Sequence, residues 1–261
     1  MRGLFVTGTG TGVGKTVLSA ALLAAIAAAG ERVSAHKPVV TGMDDPPGEW
    51  PPDHELLARV AGMTPAQVAP LRYGPAVSPH LAAELAGQRV EPERIAETAQ
   101  DALRSADAQG AMLIVEGVGG LLVPLAEGFT VRDLAARLKL PLVIAASPGL
   151  GTINHTLLTL EAARAAGLEV RAVVLTPWPE RPGAMEESNR ATIARLGGIE
   201  VATLPRVLSA ESAALADAGA RLPWQRWPPP PRQPPPGPHR KSHTGASCRG
   251  DRGRGAATHR A

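Results

Sequence analysis

The chain predicts an α/β fold: a mostly parallel sheet with helices on both faces, in a single domain followed by a disordered C-terminal tail. Three observations predict it. Apolar runs of strand length alternate with segments of helical composition, the first run passes through a glycine-rich turn into a helix, and composition breaks near Leu222. Alternation of this kind builds parallel sheets covered on both sides, whose strands read as continuous apolar runs rather than as alternating ones.

Strands are expected at Leu4–Val6, Arg32–Ala35, Met112–Val115, Leu142–Ala146, Val170–Leu175 and Glu200–Thr203. Helices are expected at 16–29, 53–61, 79–87, 92–108, 130–138, 152–166 and 184–196. Ligands of such sheets sit beyond the carboxyl ends of the strands, so the residues that follow each strand carry the functional expectations.

After the first strand comes Gly8-Thr9-Gly10-Thr11-Gly12-Val13-Gly14-Lys15-Thr16. Its glycines let consecutive N–H groups converge on an anion and the helix N-terminus adds positive potential. Lys15 reaches the outer phosphates, and the Thr16 hydroxyl ligates Mg²⁺. Five residues separate Gly8 from Gly14 where the common pattern has four, with Thr9 at the usual glycine position. The sheet is therefore of the P-loop NTPase type, and a nucleoside triphosphate is the expected ligand.

Lys37 follows the second strand, in His36-Lys37-Pro38-Val39-Val40-Thr41-Gly42. It reads as a second cation for a transferring phosphoryl group, or as a solvated lysine at a strand end. His36 reads as a packed strand residue. Asp53, after Pro51-Pro52, reads as a helix N-cap or as a magnesium ligand, and spacing does not choose between them. Glu116 closes the apolar run Met112 to Val115 before Gly117-Val118-Gly119-Gly120. A carboxylate there is costly unless paired, which points to a metal ligand or water organiser; the other reading is a glycine-rich turn that begins with a solvated acid. Ser147 to His155 combines glycines with a helix start, whose free N–H groups suit a carboxylate; a cap by Thr152 or Asn154 accounts for the residues equally well.

Composition limits the partners. Residues 223–261 hold eight Lys/Arg, one acid and nine prolines, whereas 1–222 hold 19 basic and 23 acidic residues. The basic overall balance thus belongs to the tail, and nucleic-acid binding by the folded part loses its support. A 1–222 domain and a 223–261 tail without a core are expected. The lone cysteine, Cys248, excludes an intramolecular disulfide and fits a reducing compartment, so the cytoplasm is expected. No signal-peptide layout precedes the first strand, and the longest apolar-rich run, Val17 to Ala29, is too short to span a bilayer.

The phosphate loop, Lys37-Pro38-Val39, Ser78-Pro79-His80, Glu116-Gly117-Val118-Gly119-Gly120 and Gly151-Thr152-Ile153-Asn154-His155 occur in the order found in dethiobiotin synthetases, which the chain resembles from about residue 2 to 206. The resemblance implies a homodimeric ATP-dependent ligase of biotin biosynthesis that joins CO₂ to 7,8-diaminononanoate through a carbamate and a carbamic–phosphoric anhydride. It implies Mg²⁺ on Thr16, Asp53 and Glu116. Catalytic roles fall to Lys15, Lys37 and Thr11. Nucleotide contacts fall to Gly12, Val13, Gly14, Lys15, Thr16, Val17, Glu116, Gly119, Thr176, Pro177, Leu204 and Pro205, with Thr176-Pro177-Trp178 standing where relatives often place an asparagine. The diamine side falls to Thr11, Lys37 and Thr41. Gly149, Leu150 and Asn154 receive the substrate carboxylate from across the dimer interface. The rivals are a partitioning or positioning ATPase switch, an amidotransferase-type ligase of cobalamin synthesis, and a nucleotide binder without turnover. Against the first, Gly10 stands five residues before Lys15, where such switches usually carry a lysine; against the second, no glutaminase domain with a cysteine nucleophile is present.

Overall fold

A computed structural model describes residues 2–46 and 48–229. In chain order its first half comprises β1 (Gly3–Gly8), α1 (Lys15–Ala28), β2 (Val33–His36), β3 (Val39–Val40), α2 (Asp53–Ala61), α3 (Pro65–Val68), β4 (Leu71–Arg72), α4 (Pro79–Leu85) and α5 (Pro92–Ala108). Then follow β5 (Met112–Glu116), β6 (Pro124–Ala126), β7 (Phe129–Thr130), α6 (Val131–Leu138), β8 (Leu142–Ala146), α7 (Thr152–Ala165), β9 (Val170–Trp178), α8 (Ala184–Gly197), β10 (Glu200–Pro205), α9 (Ser212–Gly219) and a 3₁₀ turn at Trp224–Arg226.

All six expected strands join one sheet in the order β10-β9-β8-β1-β5-β2, and every pairing in it is parallel. The sequence reading missed the two-stranded pairs β3-β4 and β6-β7, which are too short to show a period. Successive residues of a strand face opposite layers. Leu4, Val6, Met112 and Ile114 accordingly enter a core with α1, α2 and α9, while Phe5, Leu113 and Val115 enter another that holds residues of α4, α5 and α6. A third cluster includes Ile144, Val173, Leu175, Leu160 of α7 and Ile193 of α8.

Two glycines enable close approaches. Gly14 caps α1 in the left-handed region, at φ 86°, and a Cβ there would lie 2.9 Å from the Thr176 side chain. At Gly219 of α9 a Cβ would sit 2.1 Å from the Ala21 carbonyl oxygen, so α9 lies backbone-close on α1. Only glycine fits either place.

The expected start of a coreless tail at 223 is corrected. Trp224 is 3% exposed and Trp227 1%, and both indoles pack in the core with α1 and α9. Each removes a large apolar surface from water, which outweighs the poor folding signal of the surrounding prolines. Residues 230–261, the rest of that expected tail, lie outside the described residues.

Candidate active site

Sheet order assembles the site. β5 lies between β1 and β2, with Val6 in register with Glu116 and His36 in register with Val115. The phosphate loop, Glu116 and Lys37 therefore emerge side by side from the carboxyl edge, although about a hundred residues separate Thr16 from Glu116. The Thr9 amide donates to the Ala145 carbonyl on β8 and the Lys37 amide to the Val68 carbonyl, pinning both loops.

Four charged side chains meet there. Lys37 is 4% exposed and its Nζ donates to Asp53 Oδ2 at 2.6 Å and to Glu116 Oε1 at 2.5 Å. Glu116 is fully buried, and its Oε1 also accepts from the Thr16 hydroxyl at 2.9 Å. Lys15 Nζ donates to the Gly10 carbonyl at 2.8 Å. Burial pushes Lys15 down to about 8, with Lys37 adding to the fall and Glu116 opposing it. Burial would lower Lys37 too, but Glu116 and Asp53 outweigh it and hold the ammonium above the usual lysine range. For Asp53, burial raises the carboxyl and Lys37 more than reverses that, so it stays ionised. The cluster is thus two ammonium groups against two carboxylates, a balance that makes burial tolerable.

Glu116 Oε2 is buried with no hydrogen-bond partner among the described residues. An orphaned carboxylate oxygen beside the Thr16 hydroxyl and the Asp53 carboxylate forms an all-oxygen donor set of the kind Mg²⁺ prefers. These residues fit that ion.

A cavity of about 660 Å³ opens over the cluster, lined among others by Thr11, Gly12, Gly14, Lys15, Thr16, Val17, Lys37, Thr41, Asp53 and Gly119. The remaining predicted residues lie elsewhere. Val13 packs inside the loop against Gly8. Thr176 is buried behind Gly14 and is joined to Pro177 by a cis peptide. Leu204 is in the core and Pro205 pairs with Trp178. Gly149 and Asn154 do not line the cavity, and Leu150 is 94% exposed. Asp45, Ala76, Val77 and Val123 line it without any sequence signal of their own, because loops that flank the unforeseen short strands carry them there.

Two capping alternatives fall. Asp53 is the first helical residue, the N-cap is Pro52, and the carboxylate is spent on Lys37 instead. Gly151 caps α7 at φ 88° without a side-chain bond, which leaves neither Thr152 nor Asn154 as the cap. His36 is the packed residue expected: it is buried, neither ring nitrogen has a partner among the described residues, and burial pushes it down to about 4.

A family model described as an AAA domain matches residues 2–212. The chain is 42% identical over 203 residues to the "ATP-dependent dethiobiotin synthetase BioD" of Mycobacterium sp. (strain KMS), covering 77% of this chain and 87% of that one. Against the protein of the same name from Mycobacterium avium (strain 104) it is 44% identical over 220 residues, covering 84% and 91%. Among solved structures, a chain of the MinC:MinD cell division protein complex of Aquifex aeolicus matches with a TM-score of 0.50 at 13% identity, covering 85% of this chain and 93% of that one. That last likeness concerns the fold alone.

Proposed function

Because the chain belongs to the family of ATP-dependent dethiobiotin synthetases, we propose that its cavity carries out the ligation of CO₂ to 7,8-diaminononanoate at the expense of ATP, yielding dethiobiotin, ADP and phosphate. The single observation that carries this reading is the meeting of Lys15, Lys37, Asp53 and Glu116 at the phosphate loop, at one end of a cavity large enough for more than a phosphate.

In this reaction one amine of the substrate captures CO₂ as a carbamate, which attacks the γ-phosphate. The second amine then closes the cyclic urea on the resulting anhydride as phosphate departs. Loop amides and Lys15 hold the phosphates, and Lys37 faces the charge that builds on the transferring group. Thr11 and Thr41, on the cavity wall, orient the diamine. Holding the carbamate in line with the phosphate removes an entropic barrier of about 7–11 kcal/mol at best. Thr16, Asp53 and Glu116 would hold Mg²⁺, which supplies charge neutralisation on the phosphates when bound.

A homodimer completes the site in this proposal, with Gly149, Leu150 and Asn154 of one copy receiving the substrate carboxylate of the other. Bare Leu150 supports such an interface, as do half-exposed Leu122 and Leu158, which line one shallow cavity together, because exposed apolar side chains mark contact sites. Thr176, Pro177, Leu204 and Pro205 belong to the base side of the nucleotide, and the cytoplasm is the proposed location; no helix among the described residues is long and apolar enough to cross a membrane.

The test supplies diaminononanoate, bicarbonate, Mg²⁺ and ATP and follows dethiobiotin by mass. Product formation dependent on all four is expected. Nucleotide binding without product would leave a binder without turnover, and diamine-independent hydrolysis stimulated by DNA or lipid would favour a partitioning-type switch.

A further inference from the structure

Lys37 holds the two carboxylates that would bind the metal, on Asp53 Oδ2 and Glu116 Oε1, and Glu116 Oε2 is left without a partner among the described residues. The Lys37 ammonium bridges Asp53 Oδ2 and Glu116 Oε1, while the Thr16 hydroxyl donates to that same Glu116 Oε1. An ammonium and a divalent ion held on the same two carboxylates lie close together, and like charges repel strongly where water is excluded. Two buried carboxylates in turn do not both stay ionised side by side without a cation near them.

We propose that Lys37 is the resident counter-cation of the metal-binding carboxylates, and that it is exchanged for Mg²⁺. Lys37 keeps Asp53, at the start of α2, and Glu116, at the end of β5, gathered about Thr16. On exchange its ammonium loses both anions and turns into the cavity whose wall it already forms. That cavity is where the phosphates and the carbamate are proposed to lie. The exchange orders the reaction: Lys37 becomes available to substrate only after the metal has arrived. This gives Lys37 a positioning role in addition to the catalytic one, and it rests on the reading of the site proposed above.

The test uses the full chain loaded with ADP, which lacks the γ-phosphate that would itself draw Lys37, with lysine labelled at ¹³Cε. Lys37→Arg, which keeps the charge, assigns the Lys37 signal by its loss. Addition of Mg²⁺ is expected to shift that signal while Lys139 stays still. In Lys37→Met, Mg²⁺ added to the ADP complex is expected to bind about tenfold tighter, because the competing cation is gone. A Lys37 signal unmoved at saturating Mg²⁺ would overturn the exchange. Should Lys37→Met fold, an unchanged or weaker Mg²⁺ affinity would overturn it as well. Neither readout involves turnover, so absence of dethiobiotin in the activity assay would sink the synthetic reading and leave this one standing.

Discussion

At the β1-β5-β2 side of the sheet the buried charges are largely answered from within the chain: Lys37 by Asp53 and Glu116, and Glu116 Oε1 again by the Thr16 hydroxyl, while Glu116 Oε2 has no partner among the described residues. At the β8-α7 turn the opposite holds. Gly151 leaves the helix start without a side-chain cap, Leu150 stands almost wholly in solvent, and Asn189, donating to the Pro148 and Gly149 carbonyls, ties the turn to α8. Buried charges must be compensated wherever they fold, so the first region is finished by one chain. Exposed N–H groups and a leucine cost little in water, so the second can be left for another molecule to complete.

The strongest way to break this contrast is at its charged end. Lys37→Ala is expected to cut turnover by about 10³-fold or more while ADP affinity measured without Mg²⁺ stays within about twofold. Steady-state kinetics beside calorimetry separates the two, and a large loss of binding with normal turnover would refute the role given to Lys37.

Acid should find the same half of the molecule. His36 lies at the end of β2, and its folded value near 4 lies below the unfolded 6.5, so the unfolded chain binds the extra proton as pH falls between them. The stability it contributes is complete above about pH 6.5 and is lost toward pH 4, by about 3 kcal/mol. Denaturant midpoints of the wild type and His36→Gln across that range should converge at low pH; parallel curves would exclude the assignment.

For the open end, Leu150→Glu is expected to raise the diamine KM about 10- to 100-fold and to shift sedimentation toward a monomer, with nucleotide affinity intact. If both mass and KM stay as in the wild type, the turn is no interface and the contrast loses its second half.

The smallest effect sharpens the picture at the phosphate loop. Above about pH 8 free Lys15 is neutral, whereas a bound phosphate requires its charge, so binding then takes up a proton. ADP affinity should fall about tenfold between pH 7 and pH 9. Calorimetry in buffers of different ionisation enthalpy would count the proton, and zero uptake at pH 9 would be inconsistent with a depressed Lys15.

Much of this was readable in the chain. Continuous apolar runs gave all six sheet strands, and position after a strand singled out Lys37 and Glu116, because a parallel sheet sends those residues to one edge. Asp53 was ambiguous since capping and metal binding draw on the same side chains, and only its three-dimensional partner, Lys37, separates them. Trp224 and Trp227 were lost among prolines, whose average composition hid two large anchors. Leu150 is legible only as a glycine-flanked leucine, because exposure of a single side chain leaves no period in the sequence.

β1 precedes its sheet neighbours β5 and β8 in the chain, and their residues begin only at 112 and 142. On the ribosome the nucleotide-gripping strand must therefore wait for more than a hundred further residues, on the order of ten seconds at ordinary elongation rates. Throughout that interval Leu4-Phe5-Val6 and the apolar residues of α1 have no sheet to join, so their surface stays open to water.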